Sequence, residues 1–503
     1  MLAGTLELPN ADSITADADL LLLGLDSLRA GQIGAELQDK FQVDPVLLYD
    51  CETVGDLVHL VESAKDVRSG LRDAEKPDDE CSSPCESRHE TKLFPQRVGD
   101  PIRLTTDDWV PNSMLLVLGY PVDLTSCLPD AIRRGLDAFP HLAGSITGDV
   151  SPFDLKVVAD HRGVIVEEDD NSSIELEALS AMSQASLVES FLPESAQANH
   201  QGHHKAGFLR HPLLAAKVTR VSGGGCVLGF LVSHLLVDGA GLSMMVNRCR
   251  DSANVASLPP LNHDRSVIDR IGIGSDPIEE LPDWYSIDRD LGTRIREWEL
   301  VNSDSLATLR VTDHALEQVS GIRAGDWFGV TASFCRLLYR VGGYREAAFW
   351  CDVRGELGIP RDYTGNVGCY WHEDIAKRDE TTDELAERLR DSLMRENGDR
   401  AARLYRTLKQ HETRGIAPRW NGTDPGILPV NLVPYPAAAM DLGGGPPTFA
   451  RMLTRNVHGL RISRTVANDG FIVEASLPSD LADSLADACR AEGLAIAWSS
   501  LES

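Results

Sequence analysis

The chain has 503 residues, of which 42% are hydrophobic and 25% charged, and its 77 acidic and 48 basic side chains leave a formal charge of −29. That composition belongs to a folded protein rather than a disordered one, and a prior of ~150 residues per domain predicts about three folded units. So acidic a chain repels phosphate backbones and anionic lipid surfaces, which excludes nucleic acid and membranes as expected partners. The longest apolar runs, residues 20–23 and 226–232, fall far short of the ~20 residues of a membrane span. Residues 1–8 lack the basic segment and apolar core of a signal peptide. Ten cysteines scattered without paired spacing predict reduced thiols and a cytoplasmic location. The one close pair, Cys81 and Cys85, lacks the second pair that a zinc site needs, so no metal is expected.

Residues 1–80 hold 18 acidic and 6 basic side chains. Leu28, Ile33 and Leu37 recur at helical spacing, and Val54, Leu57, Val58 and Val61 share one face of a further helix. Leading into the first of them runs Leu23-Gly24-Leu25-Asp26-Ser27-Leu28. An Asp-Ser pair opening a helix is, taken alone, a plain N-cap. With Phe41-Gln42-Val43 and the segment from Tyr49 to Val54 downstream, however, the order resembles an acyl or peptidyl carrier protein. The resemblance implies that Ser27 carries a covalent 4′-phosphopantetheine, installed by a phosphopantetheinyl transferase. A serine at an exposed helix N-terminus suits that chemistry, because unpaired N–H groups favour the incoming phosphate. The acidic helix after it offers a charged docking face to basic partners. The implied fold of residues 1–70 is a small all-α carrier four-helix bundle. Only 26 residues precede Ser27 and Pro9 interrupts them, so the first helix is expected to be truncated. The chain is then expected to be the C-terminal part of a longer multidomain synthetase, with adenylation or polyketide synthase domains upstream as further partners. Residues 71–92 are nearly devoid of apolar side chains and are expected to be a disordered linker.

Beyond the linker the patterns change. Residues 128–139 alternate as an amphipathic helix, and residues 212–218 and 226–233 read as strands flanking the turn Ser222-Gly223-Gly224-Gly225. Thr381-Thr382-Asp383-Glu384 has the form of a capping box opening a helix with Leu385, Leu389 and Leu393 at intervals of four. Strands and helices interleave throughout, which predicts two α/β lobes joined by a loop-rich segment near residues 251–290.

At the end of the second strand stands Ser233-His234-Leu235-Leu236-Val237-Asp238-Gly239. With 14 histidines in the chain, roughly one His-x3-Asp is expected by chance, so context must decide. Several further segments supply it. They are Phe139-Pro140-His141-Leu142-Ala143-Gly144, Asn262-His263-Asp264-Arg265-Ser266, Asp352-Val353-Arg354, Tyr363-Thr364-Gly365-Asn366 and Asp441-Leu442-Gly443-Gly444-Gly445. In this order they resemble the BAHD acyltransferases over residues 93–503. The resemblance implies a two-lobed α/β domain of chloramphenicol-acetyltransferase-like topology, with residues 93–275 as the N-lobe carrying HxxxDG and residues 276–503 as the C-lobe carrying DLGGG. A tunnel between the lobes would have His234 at its centre.

On this resemblance His234 is the general base that deprotonates an acceptor hydroxyl or amine for attack on a thioester. Its ordinary pKa of ~6.5 suits both the taking and the return of the proton. Asp238 turns away from substrate and orients the loop, with Arg354 as its ion-pair partner. Gly239 permits a tight turn, and Asp441, Gly443 and Gly445 form a structural motif. Gly444 stands where the family has tryptophan, so the tunnel wall there is expected to be more open. Asn431 is put forward as oxyanion donor. The donor thioester is carrier-bound phosphopantetheine or acyl-CoA, and the acceptor is a small molecule of secondary-metabolite biosynthesis. Ser233 is disfavoured as an acyl-enzyme nucleophile because neighbours on a strand face opposite sides. Two alternatives stay open. A peptide-synthetase condensation domain forming an amide or ester shares this fold but shows two consecutive histidines, where this chain has Ser233-His234. An inactive carrier-docking module would need none of His234, Asp238 and Arg354.

Overall fold

The computed structural model describes residues 89–502 apart from 106, 109–112, 148–155, 161, 197–211, 251–259, 272–278, 289–304, 321–322, 324, 361, 378–379, 394–396, 415–416, 421–425, 434–439, 454–457, 468 and 495–496. Of the first 88 residues it describes 15, 54, 55, 57, 58 and 61, the last five helical. Ser27 and the expected four-helix bundle lie outside the described residues.

The strands of the first half are β1 (His89–Leu93), β2 (Ile102–Arg103), β3 (Ser113–Tyr120), β4 (Ser145–Thr147), β5 (Lys156–Val158), β6 (Val164–Asn171), β7 (Leu214–Val221), β8 (Cys226–Ser233) and β9 (Tyr285–Asp288). Those of the second half are β10 (Ser305–Thr312), β11 (Glu346–Cys351), β12 (Cys369–Asp374), β13 (Ala417–Trp420), β14 (Ile427–Val433), β15 (Phe449–Leu453), β16 (Gly459–Arg464), β17 (Gly470–Leu477) and β18 (Ala497–Glu502). They form a six-stranded sheet in the order β1-β6-β7-β8-β3-β15 and a seven-stranded sheet in the order β12-β11-β14-β16-β17-β10-β18. Two small sheets, β2-β5-β4 and β13-β9, complete the set.

Both faces of the first sheet are covered, which is why its inner strands read as continuous apolar runs rather than alternating ones. Strand β8, Cys-Val-Leu-Gly-Phe-Leu-Val-Ser, is buried along its whole length. On one side pack α1 (Leu128–Ala138) and α3 (Gly239–Cys249), which close a core around Leu128, Leu136, Phe230 and Met245. On the other lies α2 (Gln184–Phe191), with Leu187 and Phe191 against Leu115, Val117 and Leu231. In the second lobe α6 (Trp327–Gly342) packs against α7 (Thr382–Asp391) and α9 (Ser479–Ala491), with Phe334, Phe349, Phe471 and Leu485 fully enclosed. The shorter α4 (Ser266–Asp269) and α5 (Asp313–Ser320), and the long α8 (Asn397–Glu412), lie between these layers in sequence. The capping box of α7 is formed: Glu384 N–H donates to Thr381 Oγ1 at 3.2 Å and Thr381 N–H to Glu384 Oε2 at 2.7 Å. Leu385 and Leu389 point into the core.

Two expected boundaries move. The linker is shorter than residues 71–92, because His89–Leu93 pairs antiparallel with β6 as an edge strand; Leu93 alone is buried, and the pairing is paid in backbone hydrogen bonds that composition does not reveal. Residues 276–503 are not all C-lobe. Strand β15 crosses over and pairs antiparallel with β3, Phe449 opposite Gly119 and Leu453 opposite Leu115, so the first sheet is finished by the second half of the chain. Met440 and Leu442 travel with it into the N-lobe core, and Asp441-Leu442-Gly443-Gly444-Gly445 therefore belongs to the N-lobe.

The two lobes are tied across by a buried charge cluster. Arg451 on β15 donates to Glu474 Oε1 on β17 at 2.9 Å and to Thr308 on β10 at 3.1 Å, while Arg461 on β16 holds Glu474 Oε2 at 2.6 Å. A carboxylate so enclosed keeps its charge only because two guanidinium groups face it.

Candidate active site

The main chain leaves the sheet at Ser233, turns with Leu236 N–H bonded to the Ser233 carbonyl at 3.3 Å, and enters α3. This places His234 just past the end of the central strand β8, half-buried at the turn. Its Nδ1 is buried without a hydrogen-bond partner among the described residues. Burial also holds the imidazole below its ordinary value of 6.5, against the opposing pull of Asp238 and Asp108. The ring is therefore neutral at pH 7, the form a base requires.

Asp238 does two jobs. It is the N-cap of α3, its Oδ1 accepting from Gly241 N–H at 2.9 Å. Its Oδ2 accepts from Arg354 Nη2 at 2.7 Å, and both side chains are more than 90% buried. Arg354 is itself fixed by Asp352, through Nη1 at 2.8 Å, and by the Gly365 carbonyl. The two residues expected to pair are thus in contact, and Asp238 is held by Arg354, which follows β11.

Three further residues set the loop, and the sequence patterns did not assign them this role. Asn366 Nδ2 donates to the His234 carbonyl at 2.9 Å and to Asp108 Oδ1 at 3.2 Å. Asp108, wholly buried, also accepts from the Asn366 N–H and, through Oδ2, from Thr105 N–H and Arg265 Nε at 3.0 Å each. Arg265 then donates to the Leu236 carbonyl at 2.8 Å and to Thr364 Oγ1 at 3.2 Å, with its guanidinium 5.2 Å over the Tyr363 ring. The turn carrying His234 is gripped at two carbonyls, those of His234 and Leu236, by two side chains that share the Asp108 carboxylate. Asn366 and Arg265 stood in quoted motifs, and burial of such polar groups demands partners. Asp108 carried no sequence signal beyond Thr105-x-x-Asp108, a local turn.

The crossover segment is zipped to the same loop: Asn262 N–H donates to the Asp362 carbonyl at 2.8 Å and Thr364 N–H to the Asn262 carbonyl at 3.0 Å. His263 lies beneath it, stacked on Phe139 at 4.1 Å. Its Nε2 meets the Ala138 carbonyl, which can only accept, so that nitrogen carries the proton and Nδ1 accepts from the Thr364 hydroxyl, both at 3.0 Å. Burial pushes His263 down to about 4. This histidine is a structural neutral ring.

The glycines sort differently from expectation. Gly239 is exposed and not in a left-handed conformation, and a Cβ there would meet nothing within 4 Å, so no tight turn depends on it. The constraint sits two residues on, at Gly241, where a Cβ would lie 2.3 Å from the Thr364 carbonyl oxygen. Asp441 Oδ1 accepts from the N–H groups of Gly443 and Gly445 at 2.9 Å each, and both glycines are left-handed, at φ +112° and +87°. Gly444 does not open the wall: a Cβ would come within 2.5 Å of Val122 and 2.6 Å of Leu124, which occupy the space instead. Asn431 lies half-buried on β14 opposite Arg461 of β16, and no described hydrogen bond joins it to the His234 turn. Among the described residues no group of His, Cys, Asp and Glu could hold a metal ion. No helix among them is long and apolar enough to cross a membrane.

Residues 1–61 match the family model described as a phosphopantetheine attachment site, and residues 122–271, which include the whole His234 turn, match that of the transferase family. The fold is similar to that of vinorine synthase, at 16% identity over 82% of this chain and 99% of that one, with a TM-score of 0.60. It is also similar to F. sporotrichioides TRI101 complexed with coenzyme A and T-2, at 17% identity, 77% and 97% coverage, and a TM-score of 0.56. The chain joins a phosphopantetheine attachment site to a domain of the transferase family. The fold is similar as well to that of the first condensation domain of the CDA synthetase, at 15% identity, 80% and 99% coverage, and a TM-score of 0.51. At these identities the likeness is one of fold. No curated protein matches the chain.

Proposed function

We propose that this BAHD-type domain transfers an acyl group from the phosphopantetheine thioester of its own carrier domain to a hydroxyl or amine, with His234 as general base. Phosphopantetheine on Ser27 would supply the thioester; the hydroxyl of Asp26-Ser27-Leu28 is the nucleophile such attachment needs. His234 Nε2 takes the proton from the acceptor O–H or N–H as that atom attacks the thioester carbonyl. The tetrahedral oxyanion collapses, the C–S bond breaks, and the imidazolium returns the proton to the departing thiolate, so acyl transfer closes with the histidine neutral again. Asp238, Arg354 and Asn366 touch no substrate in this scheme; they hold the turn so that Nε2 faces the acceptor.

The observation that supports this most is the neutral, half-buried ring of His234 with Nδ1 sealed and its main-chain carbonyl gripped by Asn366. Incubating the chain with a phosphopantetheinyl transferase and CoA should add one phosphopantetheine mass, lost in Ser27→Ala. With acyl-loaded carrier and a panel of acceptors, His234→Ala should lower kcat by about 10²–10⁴-fold. Unchanged product formation in His234→Ala overturns the mechanism, and carrier-fed product from Ser27→Ala overturns the donor assignment.

A further inference from the structure

The strongest unassigned feature is the outer face of α8. Arg400, Arg403 and Arg406 recur every third residue there, all exposed, and Arg414 follows just past the helix end. None of the four has a carboxylate partner among the described residues. Elsewhere Arg133 is answered by Asp130, Arg310 by Asp469 and Arg340 by Glu492, and the exposed arginines without a carboxylate among the described residues, Arg97, Arg323 and Arg345, stand singly; α8 differs in carrying three along one face. The inner face of the same helix backs onto the active loop. Leu404, Tyr405 and Leu408 pack with Tyr363, and Tyr405 Oη donates to Asp107 at 2.6 Å, next to the Asp108 that holds Asn366. One helix, ~10–12 Å thick, and one loop separate the basic stripe from His234.

We propose that this stripe is the docking surface for the carrier domain of the same chain, residues 1–61, which hold 11 acidic and 2 basic side chains. Opposite charges meet across the two domains, and the tether is long enough: residues 62–88, which separate the carrier from β1, can span at most roughly 90 Å. Because the domains share a chain, weak complementary charge suffices to bias the carrier toward this face. The inference rests on the carrier-fed reading above and adds where the carrier sits during transfer.

The test uses the full chain with Ser27 phosphopantetheinylated, treated with phenylglyoxal and read by peptide mass spectrometry. Arg400, Arg403 and Arg406 should label several-fold more slowly than in a chain carrying Glu36→Lys and Asp39→Lys, and the protection should vanish at high salt, where charges are screened within a few Å. Equal labelling in all states overturns the proposal. In a second arm, Arg400→Glu, Arg403→Glu and Arg406→Glu together should slow carrier-fed transfer about tenfold and leave transfer from free acyl-pantetheine unchanged. Adding Glu36→Lys and Asp39→Lys should restore the rate. A loss seen only with free acyl-CoA would assign the stripe to the nucleotide phosphates of CoA and overturn the proposal. Product from Ser27→Ala would instead defeat the carrier-fed reading, while the labelling pattern still decides the docking.

Discussion

An imidazole held below its ordinary pKa by burial, as His234 is, leaves a mark on the pH dependence that can be measured at the scale of a single residue. On the proposed mechanism His234 acts unprotonated, and burial lowers its pKa, so kcat/KM should fall only as pH drops below the ordinary 6.5; an acid limb centred above 6.5 would contradict the assignment. His263 gives a stability counterpart. Unfolded, it takes up a proton near 6.5; folded, only near 4. Between those values the unfolded state binds more protons, so stability falls as pH falls through that window, by about 3 kcal/mol from this group, and is flat below it. Urea unfolding from pH 7 to pH 4 should show this limb, shallower in His263→Gln. His234, Asp238 and Arg354 were legible from their motifs. Asp108 was not, since its importance arises from burial between two segments far apart in sequence.

Elements matter here through the way one turn is clamped between them. Helix α3 starts against the Thr364 carbonyl, with no room for a methyl group at Gly241 and open space at Gly239. Gly241→Ala should therefore destabilise the protein by about 1–3 kcal/mol and lower kcat by shifting Asp238 off Arg354, whereas Gly239→Ala should change stability by less than about 0.5 kcal/mol. Thermal unfolding and steady-state kinetics of the two variants check both. The reading of Gly239 as the turn-forming glycine picked the wrong one of the pair, because periodicity and motif spacing say nothing about which backbone passes overhead. Helices and buried strands were readable where local pattern decides them, as in the Thr381 capping box and the run of β8. Strand β1 was hidden, because an edge strand with one buried side chain has no apolar pattern to find.

Across the whole molecule the lobes are held as one unit by Glu474 between Arg451 and Arg461. Removing the carboxylate leaves two enclosed cations facing each other, so Glu474→Gln should cost roughly 3–5 kcal/mol in denaturant unfolding, against at most about 1 kcal/mol for Asp469→Asn at the exposed Arg310 pair. Comparable losses from the two would show that the cluster does not bind the lobes. The two-lobe division was visible in the alternation of patterns, but the crossing of β15 was not, since strand order is set by packing and not by proximity in sequence.

That crossing has a consequence for how the protein is made. Strand β3 receives its outer neighbour only when residues 449–453 arrive, roughly 200 residues after β8 is complete. At ~5–20 residues per second, translation leaves that edge bare for roughly 10–40 s on the ribosome. During this interval a largely apolar strand has its outer row of hydrogen-bonding groups unpaired, the arrangement that invites pairing with another chain.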